Sequence, residues 1–211
     1  MTEFPKSPFT ILDPSIRWVP DFSSQELYNT PHETLLPPMV HKVRQEVKEW
    51  RDCNYEGASE TSKQLLQFWF YAPHQVNGNE FRFYFAQQEA IESIIYLFEV
   101  AKARDKYEMI KFDSVGRVSA GMFDETWTRY VVKMATGAGK TKVMGLTLVW
   151  AYFHKLYEAN STLSKDFLVI APNIIVLNRL RKDFDGLKMF FDEPFFLTMA
   201  MTTETGKTTF N

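Results

Sequence analysis

Cysteine is nearly absent from this 211-residue chain: Cys53 is the only one, so an internal disulfide framework is excluded and a reducing compartment, the cytoplasm by default, is the expectation. Charge is almost balanced, with 24 Lys and Arg against 26 Asp and Glu, which removes any global attraction to nucleic acid and leaves only local patches to provide one. No apolar run is long enough for a membrane span; the longest, Val143 to Phe153, is broken by Gly145 and Thr147 and falls short of the roughly 18 residues required. The start, MTEFPKSPFTILD, lacks the basic opening and apolar stretch of a secretion signal. His32, His41, His74 and His154 are scattered without metal-ligand spacing, which argues against zinc. No G-x-S-x-G elbow is present and Cys53 has no evident base, so a nucleophilic hydrolase is unsupported.

What is present describes a folded protein: 45% hydrophobic residues, among them 19 Phe and 5 Trp. Residues 1–34 are rich in proline and aromatics and read as a packed, irregular arm. After Pro37 and Pro38, Val40, Val43, Val47 and Trp50 recur at helical spacing with charges between them. Thr61 with Gln64 predicts a capping box opening a helix that stops before Pro73, and a third helix is expected from about Ala86 to Lys106. Asp105 to Glu125 reads as a connecting loop. The texture then changes. RYVVKM at 129–134 predicts a strand, a glycine loop and a helix to about Tyr157 follow, then a buried strand at Phe167 to Ala171 and another helix after Pro172. That order is a βαβ unit with a parallel sheet and right-handed crossover. The expected fold class is α/β, a mainly helical region over 1–80 followed by a P-loop domain over 81–211.

The loop Met134-Ala135-Thr136-Gly137-Ala138-Gly139-Lys140-Thr141 carries the chemistry. Glycines let successive N–H groups point at phosphates, the helix start adds its positive dipole end, Lys140 offers a cation to the outer phosphates, and the Thr141 hydroxyl is suited to Mg²⁺. Met134 stands where the general pattern G-x-x-x-x-G-K-[ST] has glycine. ATP with Mg²⁺ is the expected ligand, bound by Thr136, Gly137, Ala138, Gly139, Lys140 and Thr141.

The form A-T-G-x-G-K-T resembles motif I of superfamily 2 helicases, and MATGAGKT looks like the helicase (Res) subunit of type III restriction endonucleases and related DEAD/DEAH-type proteins. Upstream, FRFYFAQQEAIESI resembles that group's glutamine stretch, which implies that Gln87 reads the adenine edge, its amide offering a donor and an acceptor together. Downstream, VIAPNIIVLNRL resembles motif Ia, which implies DNA contact by Pro172 and Asn173 with Arg179 or Arg181 nearby. The resemblance implies a partial RecA-like domain, DNA as partner, a modification methyltransferase subunit as a further one, no membrane, and ATP hydrolysis coupled to movement on DNA.

A superfamily 2 motor also needs an acidic motif II and a second RecA-like domain, and neither is found. Asp192-Glu193 imitates the acidic motif, but it arrives directly after the motif Ia helix and Pro194 follows it. The expectation is therefore an ATP-binding N-terminal portion of a translocase without turnover or cleavage of its own. Gly206-Lys207-Thr208 lacks a preceding strand and reads as coincidence. The Thr-rich tail 195–211 fits neither neighbour, and a reading-frame slip near Pro194 would account for it; an interrupted alternative frame in the gene would sink that idea. Two other readings stand beside the helicase one: a stand-alone P-loop kinase or nucleotide-binding protein, against which the 130 or so preceding residues weigh, and an inactive remnant of a disrupted gene.

Overall fold

The computed structural model describes residues 7–15, 37–124 and 126–196. Helix α1 (Val40–Asp52) buries Val43, Val47 and Trp50, three of the four apolar positions that predict it, and adds Arg51 to the same face. Helix α2 (Glu60–Tyr71) begins one residue before the expected capping box at Thr61. Ser59 is the cap, its hydroxyl accepting the Ser62 amide at 3.2 Å, while the Thr61 hydroxyl is drawn away to Glu158 at 2.6 Å. Buried Leu65, Leu66 and Trp69 face the core. A hairpin absent from the sequence expectations follows: β1 (His74–Val76) pairs antiparallel with β2 (Asn79–Phe81), in register His74 with Phe81. Asn77 and Gly78 both take positive φ, 52° and 77°, the conformation a two-residue hairpin turn needs.

Helix α3 (Phe85–Ile95) carries buried Ile91 and Ile95, then loosens into a π-turn over Tyr96–Val100, so the single helix expected to reach Lys106 ends early. The wider turn accompanies an inward Glu99, which accepts the Ser59 amide at 2.8 Å, the Ser62 hydroxyl and the Trp150 indole N–H at 3.1 Å. The expected loop over 105–125 contains a short helix, α4 (Lys106–Ile110), capped by the Asp105 carboxylate, and a 3-10 turn at Ala120–Met122.

Helix α5 (Lys140–Tyr157) is the centre of the core. Leu146, Val149 and Trp150 pack with Trp69, Ile91 and Ile95, and Gly145 allows the close approach of Phe195 and Met189, whose atoms stand 2.7 and 2.8 Å from where a β-carbon would sit. Phe195 is fully buried and its carbonyl accepts the Trp69 indole N–H at 2.9 Å. Helix α6 (Ile174–Phe184) follows Pro172 as expected, and α7 (Lys188–Asp192) leads into Phe195.

The parallel sheet is where structure and expectation part. Neither 129–134 nor 167–171 is a strand, and the only sheet among the described residues is the hairpin. Val131, Leu168 and Ile170 stand 80, 85 and 80% exposed. An isolated β-branched run has no hydrogen-bond partners for its backbone, and sequence alternation cannot supply them. The βαβ order survives only as loop, helix, extended run and helix. Helices α2 and α5 contribute to one apolar cluster. The atypical tail lies outside the described residues from 197 onward.

Candidate functional site

The residues singled out by their glycines form a tight turn entering α5. Thr136 to Ala138 bend back, with the Ala138 amide donating to Ala135 O at 3.3 Å. Gly137 and Gly139 sit at φ 83° and 80°, a left-handed conformation that side chains resist. A β-carbon at Gly139 would also lie 2.1 Å from the Gln87 amide nitrogen, so the Gln87 side chain would have to shift. Gly139 is also the N-cap of α5, without a capping side chain and with no acid in the first turn, so the helix presents unblocked amides and the positive end of its dipole.

Lys140 is exposed, and its ammonium folds back to donate to Met134 O at 3.1 Å and Ala135 O at 2.8 Å. Two neutral carbonyls hold the cation over the loop less strongly than phosphate oxygens would. Thr141 is half-buried in the first turn of α5. Free amides, a mobile cation and a hydroxyl suit a triphosphate carrying Mg²⁺. Among the described residues no set of three His, Cys, Asp or Glu side chains is placed to hold a metal, so a divalent ion here would rest on Thr141 and the phosphates it accompanies. The Glu193 carboxylate reaches the same turn, where it pairs with Lys142, and Asp192 is exposed.

Gln87 is joined to the loop directly. It is 2% exposed; its carbonyl oxygen accepts the Tyr84 amide at 2.9 Å and its amide nitrogen donates to Ala138 O at 3.1 Å. Behind it, Glu92 is buried and gathers Arg51 through its Nε and Nη2, the Tyr55 hydroxyl at 2.7 Å and Gln88 at 2.8 Å. Burial and the Glu92 charge hold the Tyr55 phenol well above its usual range. Arg51 and Glu92 each place one charge on the buried face of its helix, a complementary pair. A second pair, Arg44 with Glu89 at 2.9 Å, flanks the same helix; burial raises the Glu89 carboxyl and Arg44 opposes that rise.

Pro172 and Asn173 lead into α6. Both are exposed, and the Asn173 side chain caps α6 by accepting the Val176 amide at 3.0 Å. Arg179 and Arg181 are exposed on α6. No helix among the described residues is long and apolar enough to cross a membrane.

A groove of about 540 Å³ opens beside Thr136, Gly137 and Ala138, with Tyr84, Phe85 and Glu89 of the α3 start on one side and Ser7 to Leu12 on another. No local pattern in the sequence joins the N-terminal arm to this place.

The chain matches a known family. Neither curated proteins nor solved structures yield a match. A profile of the family described as "Type III restriction enzyme, res subunit" matches residues 80–210, more than half of the chain, including the glycine loop and Gln87. On that match the chain belongs to the family of the type III restriction enzyme res subunit, a helicase-like ATP-binding family.

Proposed function

We propose that this chain binds ATP with Mg²⁺ at 134–141 as the front part of a DNA translocase of the type III restriction kind, in which ATP hydrolysis by the intact protein drives movement along DNA. The observation that carries the reading is the loop itself: two left-handed glycines feeding an uncapped 18-residue helix, with Lys140 parked on the loop's own carbonyls. Amides from Thr136 to Gly139 cradle the phosphates, Lys140 leaves Met134 and Ala135 for the outer phosphates and stabilises charge on the transferring group, and the Thr141 hydroxyl positions Mg²⁺. Gln87 exchanges its bond to Ala138 for the adenine N6 and N7 edge, which ties base recognition to the shape of the loop.

Pro172 and Asn173 meet the DNA backbone, with Arg179 or Arg181 adding charge. The family match supports DNA as partner of the intact assembly, and a modification methyltransferase subunit is the protein partner the reading adds. Turnover in the intact protein also calls on an acidic motif and a second RecA-like domain.

The test is ATP binding by the purified chain with Mg²⁺ beside Lys140→Ala, followed by phosphate release with and without duplex DNA. Loss of binding in the variant with no DNA-stimulated release is the expected result. Robust release by this chain alone would overturn it and bring back Asp192-Glu193 as the acidic motif, or the stand-alone P-loop kinase reading.

A further inference from the structure

The groove beside the loop is walled by a segment more than 70 residues upstream of Gln87, and the manner of its attachment is specific. The Pro8 carbonyl accepts the Phe85 amide at 2.9 Å, which occupies one of the backbone donors left over at the start of α3. The Phe9 ring meets the edge of Tyr84 at 5.5 Å between centroids, and the Arg82 guanidinium lies 5.1 Å from the same ring. The arm is thereby docked on the helix that carries Gln87, and it faces Thr136 to Ala138 across the groove.

The chemistry of the walls says what part of a ligand fits. No lysine or arginine lines the groove among the described residues; its one charged side chain is Glu89, whose Oε2 is held by Arg44. Paired with Arg44, Glu89 leaves the groove without net positive charge to attract phosphate, while a carboxylate accepts hydrogen bonds from hydroxyl or amine donors. Pro8, Leu12, Tyr84 and Phe85 supply apolar and aromatic surface to this open groove of about 540 Å³. The phosphates therefore belong on the loop amides and Lys140, and the uncharged remainder belongs in the groove.

We propose that the arm Ser7 to Leu12 is a working wall of the nucleotide site, closing the groove around the base and ribose while Glu89 accepts from hydroxyl or amine donors of the nucleoside. This rests on the assignment of the glycine loop to a nucleoside triphosphate. The N-terminal arm thus grips the nucleoside and leaves the phosphates to the loop, so its grip distinguishes a nucleotide from a bare polyphosphate.

The experiment titrates ATP and inorganic tripolyphosphate, each with Mg²⁺, into the full chain, Phe9→Ala and Lys140→Ala. Phe9→Ala is expected to weaken ATP roughly tenfold, the weight of one aromatic contact, while leaving tripolyphosphate unchanged, and Lys140→Ala to weaken both. Equal losses for the two ligands in Phe9→Ala, or no loss for ATP, would overturn the arm's role. Indifference of both ligands to Lys140→Ala would instead overturn the loop assignment on which it rests. A second measurement needs no variant: exchange of the Phe85 amide, which donates to Pro8, should slow with ATP and not with tripolyphosphate. Identical exchange with the two ligands would count against the proposal as decisively as the titration.

Discussion

Two sets of apolar residues in this chain, similar in composition, meet opposite fates. Leu146 and Val149 of α5 are buried among Trp69, Ile91 and Ile95, whereas Val131, Leu168 and Ile170, in the runs that precede and follow α5 in sequence, stand in solvent. Hydrophobicity does not separate them. A helix satisfies its backbone internally and needs only an apolar neighbour for one face, while an extended run must find another strand for its N–H and C=O groups before its side chains can be covered. The helical half is also tied by buried polar bonds, such as Arg51 with Glu92 and Trp150 with Ser62 at 2.8 Å, whereas the run before α5 is joined to Ala103 O by the half-buried Tyr130 hydroxyl at 3.0 Å.

The largest disturbance of that contrast should come from Arg51→Ala. It leaves the Glu92 carboxylate buried without its cation and should cost about 3–5 kcal/mol, read as a drop in the urea midpoint. Replacing both partners by apolar residues, Arg51→Met with Glu92→Leu, should recover much of the loss; failure to recover would mean that the pair contributes more than charge compensation.

A sharper comparison makes one chemical change in both regions. Leu146→Ala in the core should cost about 2–5 kcal/mol, and Leu168→Ala in the exposed run should stay within about 0.5 kcal/mol. A large cost at Leu168 in urea denaturation would show that the run finds cover in solution and would erase the distinction drawn above.

The smallest expected effect concerns the seam between α2 and the end of α5. The Thr61 hydroxyl, then its amide, hold Glu158 below the ordinary carboxylate value of 4.5. A depressed acid contributes stability that is fully present above its unfolded value and fades as pH falls through the folded one. Thr61→Val should therefore reduce stability at neutral pH, with the gap narrowing below about pH 4.5, followed by thermal melts across that range. A gap that stays constant in acid would assign the effect to packing rather than charge.

These outcomes bear on how far the chain could be read before it was seen. The α1 stripe, the loop and the entry into α5 were legible because each is local: period, glycines and helix start lie within a few residues of one another. The third helix was legible in its first turns only, since the π-turn at Tyr96–Val100 accompanies contacts from Glu99 to residues some 40 positions upstream and 51 downstream. Gln87 was recognisable as a polar residue at a helix start. Its bond to Ala138, 51 residues on, depends on packing that no spacing rule encodes. The two strands failed for the opposite reason: their pattern is right, but pairing is a property of two segments, and the sequence shows only one at a time.

The bond from Trp69 to the Phe195 carbonyl joins residues 126 apart. On a ribosome adding about 5–20 residues per second, the indole would wait roughly 6 to 25 s for its acceptor. During that interval α2 is synthesised without the aromatic plug that later seals it. The chain is therefore expected to recruit holding chaperones through the Trp69 face, and to shed them once Phe195 has left the exit tunnel.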